Sequence, residues 1–308
     1  AQRAYVLENG KAVLESKAAQ LRQRDDIKAF YLGLAPEQAT GPELALAALT
    51  AEEIRKLPDN YAAAASAPDA VTTDDPEHPR AFLPTDLLAD DGPWIAVNGE
   101  GREGYAGQFH FTRLKGRSSF EVRMRHPAGR EAGVAYLKSL AEMTQPQVWE
   151  KPAQADILKP NGPDRPPWPN PATPQFSKGT AWALIRRAIL ADVKGQPVVS
   201  PLVESVQVRV YRTTEVPAGI PEDALARQFM TSFEWEARRA LLLGKGGFHQ
   251  TTLDEIQYSH FAPIEAKPDM EGRPLTNFCL QCHVAPGIHS IQSRTRLFGS
   301  DTPMLPLA

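Results

Sequence analysis

From Pro160 to Pro174 the chain reads PNGPDRPPWPNPATP, seven prolines in fifteen residues. Proline holds φ in one narrow range and has no backbone N–H to give, so neither a helix interior nor a central strand can run through this stretch. The segment 146–178 is therefore expected to be a linker or a long wrapping loop. It divides the 308 residues into parts that must find their own elements: 1–70, 71–145 and 179–308. A chain of this length suits one large domain or two ordinary ones.

The first part reads as helical. Leu14, Ala18 and Leu21 follow the i, i+4, i+7 spacing of one helix face, and Ile27, Phe30 and Tyr31 continue an apolar stripe. Pro42-Glu43 looks like a helix start. Thr50-Ala-Glu-Glu53 has the capping-box form, in which hydroxyl and carboxylate each satisfy an orphan backbone N–H, and Pro58 stops that helix. Residues 67–91, with TTDDPEHP at their centre, read as a loop.

Strand patterns follow. Trp94 to Val97 predicts a short strand ending at the turn dipeptide Asn98-Gly99. Phe109 and Phe111, then Phe120, Val122 and Met124, alternate with polar residues, which argues for half-buried strands with one wet face. Val134, Leu137, Leu140 and Ala141 return to helical spacing. Beyond the prolines, AWALIRRAIL reads as a strand entering a hairpin at Lys194-Gly195. Val206, Val208 and Val210 alternate with polar neighbours, as do Phe233, Trp235 and Ala237. The expected class is α+β: a helical N-terminal portion, an antiparallel β-rich body and a loop-rich C-terminal segment. GKGGFH, at 244–249, lacks the residue order of a phosphate-cradling loop.

A net charge of -3 gives no basic footprint of the kind that marks nucleic-acid partners. No apolar run approaches the eighteen or so residues of a membrane span. The small residue Ala1 suits the new end left by signal-peptide cleavage, and equally an arbitrary boundary.

The two cysteines, Cys279 and Cys282, stand three apart and are followed directly by His283 in FCLQCHVAPGIH. C-x-x-C-H is the signature of c-type haem attachment. Through Cys279-Leu280-Gln281-Cys282-His283 the chain resembles the c-type cytochromes. The resemblance implies thioethers from both cysteines to one covalent haem, His283 as the proximal iron ligand, and maturation on the exported side of a bacterial membrane, hence a periplasmic or otherwise extracytoplasmic protein. It covers five residues. Placement near the C-terminus is similar to that in the cytochromes c′, whose chains are much shorter. Two other readings remain for the pair. One is a disulfide or redox-active C-x-x-C, which usually needs a βαβ setting. The other is structural zinc on Cys279, Cys282 and His289, with a fourth ligand from elsewhere.

The second axial ligand governs what a haem can do. Methionine raises the potential, histidine usually lowers it, and an open position admits small ligands. Candidates are His289 and Met304 after the motif and His249, His260 and Met270 before it, while His78, His110 and His126 read as ordinary histidines. Arg294 and Arg296 offer bidentate partners for haem propionates, though solvated arginines are the plainer reading. Trp235, Phe248, Tyr258 and Phe261 could wall a haem pocket or be plain core.

The leading expectation is a monohaem electron carrier, alone or as a subunit docked on a redox complex through a partner protein. A haem enzyme or sensor for peroxide or nitric oxide is the second. A structural or interaction protein with a Cys/His zinc site is the third.

Overall fold

A computed structural model describes residues 3–8, 11–17, 49–97, 118–143, 145, 147–153, 155–158, 164–214, 230–237, 247–251, 283 and 285–292. The chain opens with an antiparallel pair, β1 (Arg3–Glu8) and β2 (Lys11–Lys17), in which Val6 faces Leu14 and Glu8 faces Lys11. This corrects the helical reading at Leu14. The intervening residues are Asn9-Gly10, the strongest short hairpin signal a sequence carries, and that turn chemistry outweighs three apolar residues at helical spacing. Residues 18–48, with the apolar stripe and Pro42-Glu43, lie outside the described residues.

Two short helices follow. The first, α1 (Ala51–Arg55), starts at the expected capping box: Glu53 N donates to Thr50 Oγ1 at 3.2 Å, and Thr50 N donates to Glu53 Oε2 at 2.7 Å. The second, α2 (Asn60–Ala65), is capped by Asp59, whose carboxylate accepts from Tyr61 N and Ala62 N. Between Ser66 and Pro93 no regular element forms, as the Pro- and Asp-rich composition predicts.

Then come β3 (Trp94–Val97), β4 (Ser118–Arg125), α3 (Arg130–Ala141), β5 (Gln147–Val148), α4 (Ala155–Leu158), β6 (Trp168–Pro169), β7 (Ala181–Ala191), β8 (Pro197–Tyr211), β9 (Met230–Ala237), β10 (Phe248–Gln250) and α5 (Ile288–Gln292). One antiparallel sheet takes strands from both sides of the Pro-rich segment, in the order β10-β9-β8-β7-β4-β3. The fold is α+β, with this sheet as its frame. The β7–β8 hairpin turns where Lys194-Gly195 was expected to turn it, with Asp192 accepting from Lys194 N and Gln196 N.

Each face of the sheet carries its own core. Ala181, Ala183, Ile185, Val206, Val208, Val210 and Phe233 pack against α2 and the 67–93 loop through Tyr61, Phe82 and Leu87. On the opposite face Ile95, Val97, Met124, Trp182 and Tyr211 pack against α3 through Leu137 and Leu140, and against Phe176 and Ile288. Each fully buried side chain of this size contributes roughly 1.5–3 kcal/mol relative to exposure. The wet face expected for β4 is thus absent. Arg123 is buried, donating to the carbonyls of Leu87 and Ala89, and the Arg125 guanidinium lies over the rings of Trp94 and Phe82. The loop pulls these polar positions under cover by offering backbone carbonyls that the sequence pattern does not reveal.

The Pro-rich segment wraps the body. Val148 pairs with Trp168, and both Trp168 and Phe176 are buried. Residues 71–145 and 179–308 therefore share one sheet and its two cores, and α2 of the first part packs on one of them.

Candidate functional site

The last described stretch is built from a glycine. Gly287 has φ +53°, the left-handed region that a side chain disfavours, and it turns the chain into the single turn of helix α5. A Cβ at this position would fall on the side-chain amide of Gln175, which is the second reason for glycine here. That amide is engaged: Gln175 Oε1 accepts from Ile288 N at 2.7 Å and from Phe176 N at 3.2 Å. The end of the Pro-rich segment thus holds the start of α5. Ile288, wholly buried among Trp182, Tyr211 and Phe176, seats the turn on the sheet.

Ser290 is the hub. Its hydroxyl donates to Gly287 O at 2.8 Å and also contacts the Tyr211 hydroxyl. A serine has one hydroxyl hydrogen, so with that hydrogen on Gly287 the Tyr211 O–H must donate to Ser290 Oγ. Burial pushes the Tyr211 phenol up, which keeps its proton in place for this role.

The carbonyl of Ser290 lies 2.7 Å from His283 Nδ1. A carbonyl only accepts, so Nδ1 carries the hydrogen, and in the neutral form of the ring the lone pair then stands on Nε2. This is the arrangement that orients histidine metal ligands generally: one ring nitrogen tied to a backbone carbonyl, the other directed to the metal. His283 therefore fits the part that the motif gives it. Cys279 and Cys282 lie outside the described residues, as do His110, His260, Met270, Met304, Tyr258, Phe261, Arg294 and Arg296.

His289 sits in the same turn at 4% exposure, and burial pushes its imidazole down to about 4. It is a neutral, enclosed ring whose Nδ1 has no hydrogen-bond partner. The sheet register places His249 elsewhere. It faces Glu236, which faces Ser205, six residues along β8 from Tyr211, or roughly 20 Å at strand rise. His249 and His283 are not brought together. Trp235 and Phe248 pack with the first core, where Phe248 meets Tyr61 edge-on at 6.0 Å. That face is opposite to α5, so these two rings are core and no pocket wall for a group at His283. His78 is exposed and paired with Asp75, and His126 Nδ1 accepts from Ala128 N. Among the described residues no cluster of three His, Cys, Asp or Glu side chains forms a metal-binding group.

Sequence reasoning missed Tyr211, Ser290 and Gln175. Ser290 follows the motif closely enough to have been considered as a support for His283. Nothing local marks Tyr211 or Gln175, which reach the site only through the packing of strand and loop. Comparison with protein families, curated proteins and solved structures gives no match to this chain. No described helix is long and apolar enough to cross a membrane.

Proposed function

We propose that this chain is a monohaem c-type cytochrome that transfers electrons to or from a partner protein on the extracytoplasmic side of a membrane, alone or as a subunit of a redox complex. One covalent haem would be held by Cys279 and Cys282, with His283 Nε2 as proximal ligand. The observation that carries the reading is the His283 Nδ1–Ser290 carbonyl bond, since it commits the tautomer that a metal ligand needs in the one histidine that completes C-x-x-C-H.

When bound, the haem supplies one-electron redox chemistry. The chain's own residues do the positioning. Ser290 orients the imidazole, Tyr211 orients Ser290, and Gln175 with Ile288 anchors the turn to a two-faced core that resists reorganisation. A ligand held this rigidly suits electron transfer, in which the coordination geometry should change little between oxidation states.

The test is an absorption spectrum of the chain coexpressed with c-haem maturation machinery, reduced and then exposed to carbon monoxide. A Soret band that survives denaturation, with a reduced spectrum indifferent to carbon monoxide, is the expected result. A Soret band displaced by carbon monoxide would mean an open iron position and a ligand-binding or catalytic protein. No haem in purified protein would overturn the reading and turn attention to zinc on the same residues.

A further inference from the structure

We infer that Arg209 is a positioning residue for His283: through Tyr211 and Ser290 it fixes the turn that holds the imidazole, and its buried charge raises the reduction potential of a haem bound there. The second half rests on the reading of His283 as the proximal ligand. Arg209 and Tyr211 stand two residues apart on β8, so their side chains leave the same face of the sheet. Both are buried. The guanidinium gives one hydrogen to Gln207 Oε1 at 2.6 Å and another to the Tyr211 hydroxyl.

The direction of every hydrogen then follows. Arginine only donates, so the Tyr211 oxygen accepts from it. The phenol keeps its own hydrogen, because burial outweighs the pull of the guanidinium towards the ionised form. That hydrogen goes to Ser290 Oγ, and the Ser290 hydroxyl goes on to Gly287 O at 2.8 Å. The chain ends on the turn whose Ser290 carbonyl accepts from His283 Nδ1 at 2.7 Å. It cannot reverse, since its first member is a pure donor and its last a pure acceptor. Hydrogen bonds in such a series polarise and strengthen one another.

Arginine stays charged when buried. Three hydrogen bonds and the width of one serine separate the guanidinium from His283 Nδ1, roughly 13 Å at most. A unit charge at that distance changes an equilibrium about tenfold at an effective dielectric constant of about 20. A cation favours the reduced iron, which carries one positive charge less. For a haem ligated through the far side of the ring, the expected gain in the reduction equilibrium is about three- to tenfold.

The test is the midpoint potential of the full chain with haem attached, by spectroelectrochemistry. Arg209→Gln should lower it by about 30–60 mV, the three- to tenfold change in electrical units. Arg209→Lys keeps the charge and should lower it by less than about twofold, or about 20 mV. Tyr211→Phe keeps the charge and cuts the chain, and should lower it by about twofold or more. The double variant of Arg209→Gln with Tyr211→Phe should shift no further than the larger single change, because both break one unit. If Arg209→Gln fails to fold by circular dichroism, Ser290→Ala takes its place in the cycle, since it removes the last hydroxyl and keeps the carbonyl. Changes of under about 1.5-fold, or about 10 mV, in every variant would overturn the inference and leave the haem reading standing. Additive shifts would overturn it too. A purified chain without haem would sink the haem reading, and the tautomer of His283 then decides, read by nitrogen NMR of isotope-labelled histidine. Loss of the Nδ1–H form in Tyr211→Phe would uphold the chain as what holds His283. A tautomer that Tyr211→Phe leaves unchanged would overturn the inference.

Discussion

Replacing Gly287 with alanine tests whether the turn that carries Ser290 is held as described. Two costs are separable. A side chain in the left-handed region costs roughly 1–2 kcal/mol. The new methyl group also lands on the Gln175 amide, which must move and give up hydrogen bonds to Ile288 N and Phe176 N. Each such bond contributes about 0.5–1.5 kcal/mol net, and crowding a packed site costs about 1–3 kcal/mol. The expected loss is about 3–8 kcal/mol in urea unfolding, the sum of the backbone cost, two hydrogen bonds and crowding. Gly195→Ala is the control, because Gly195 has φ +75° but nothing within 4 Å of a new Cβ, leaving only the backbone cost. A double variant with Gln175→Ala should recover only the crowding cost, because it gives up the same two hydrogen bonds. The reasoning is refuted if Gly287→Ala and Gly195→Ala lie within about 0.5 kcal/mol of each other, a resolution that matched urea curves allow.

Two further substitutions probe the frame. Asn60 donates to Val203 O at 2.9 Å and accepts from Val203 N at 2.8 Å, just beyond Ser205, where β9 stops pairing with β8. Asn60→Ala should cost roughly 2–4 kcal/mol by stranding two buried backbone groups, and a loss under about 1 kcal/mol by chemical denaturation would mean that water replaces the amide. Thr50→Ala removes one half of the capping box of α1 and should cost about 1 kcal/mol, read as a drop in melting temperature that Thr50→Ser restores.

Legibility followed the range of the physics. The capping box at Thr50, the strands through Trp94, Phe120, Trp182, Val206 and Phe233 and the hairpin at Gly195 were readable, because each depends on residues within a few positions of one another. The N-terminal hairpin carries its signal in Asn9-Gly10, a local turn dipeptide that outweighs the helical spacing beginning at Leu14. Arg123 defeated the alternation argument on β4. Its position is polar in the sequence and interior in the fold, since the carbonyls that accept its hydrogens come from a loop more than thirty residues away.

The site divides in the same way. The amino-acid sequence alone put Cys279, Cys282 and His283 at the spacing of haem attachment, a covalent requirement met within five residues, and it specified strand periodicity and the proline barrier. Only the tertiary structure decided which nitrogen of His283 keeps its hydrogen and that His249 stands apart. Hydrogen bonds and buried charges are settled by whichever groups packing brings within about 3 Å, and here those groups come from β7, β8, the Pro-rich wrap and the final turn together.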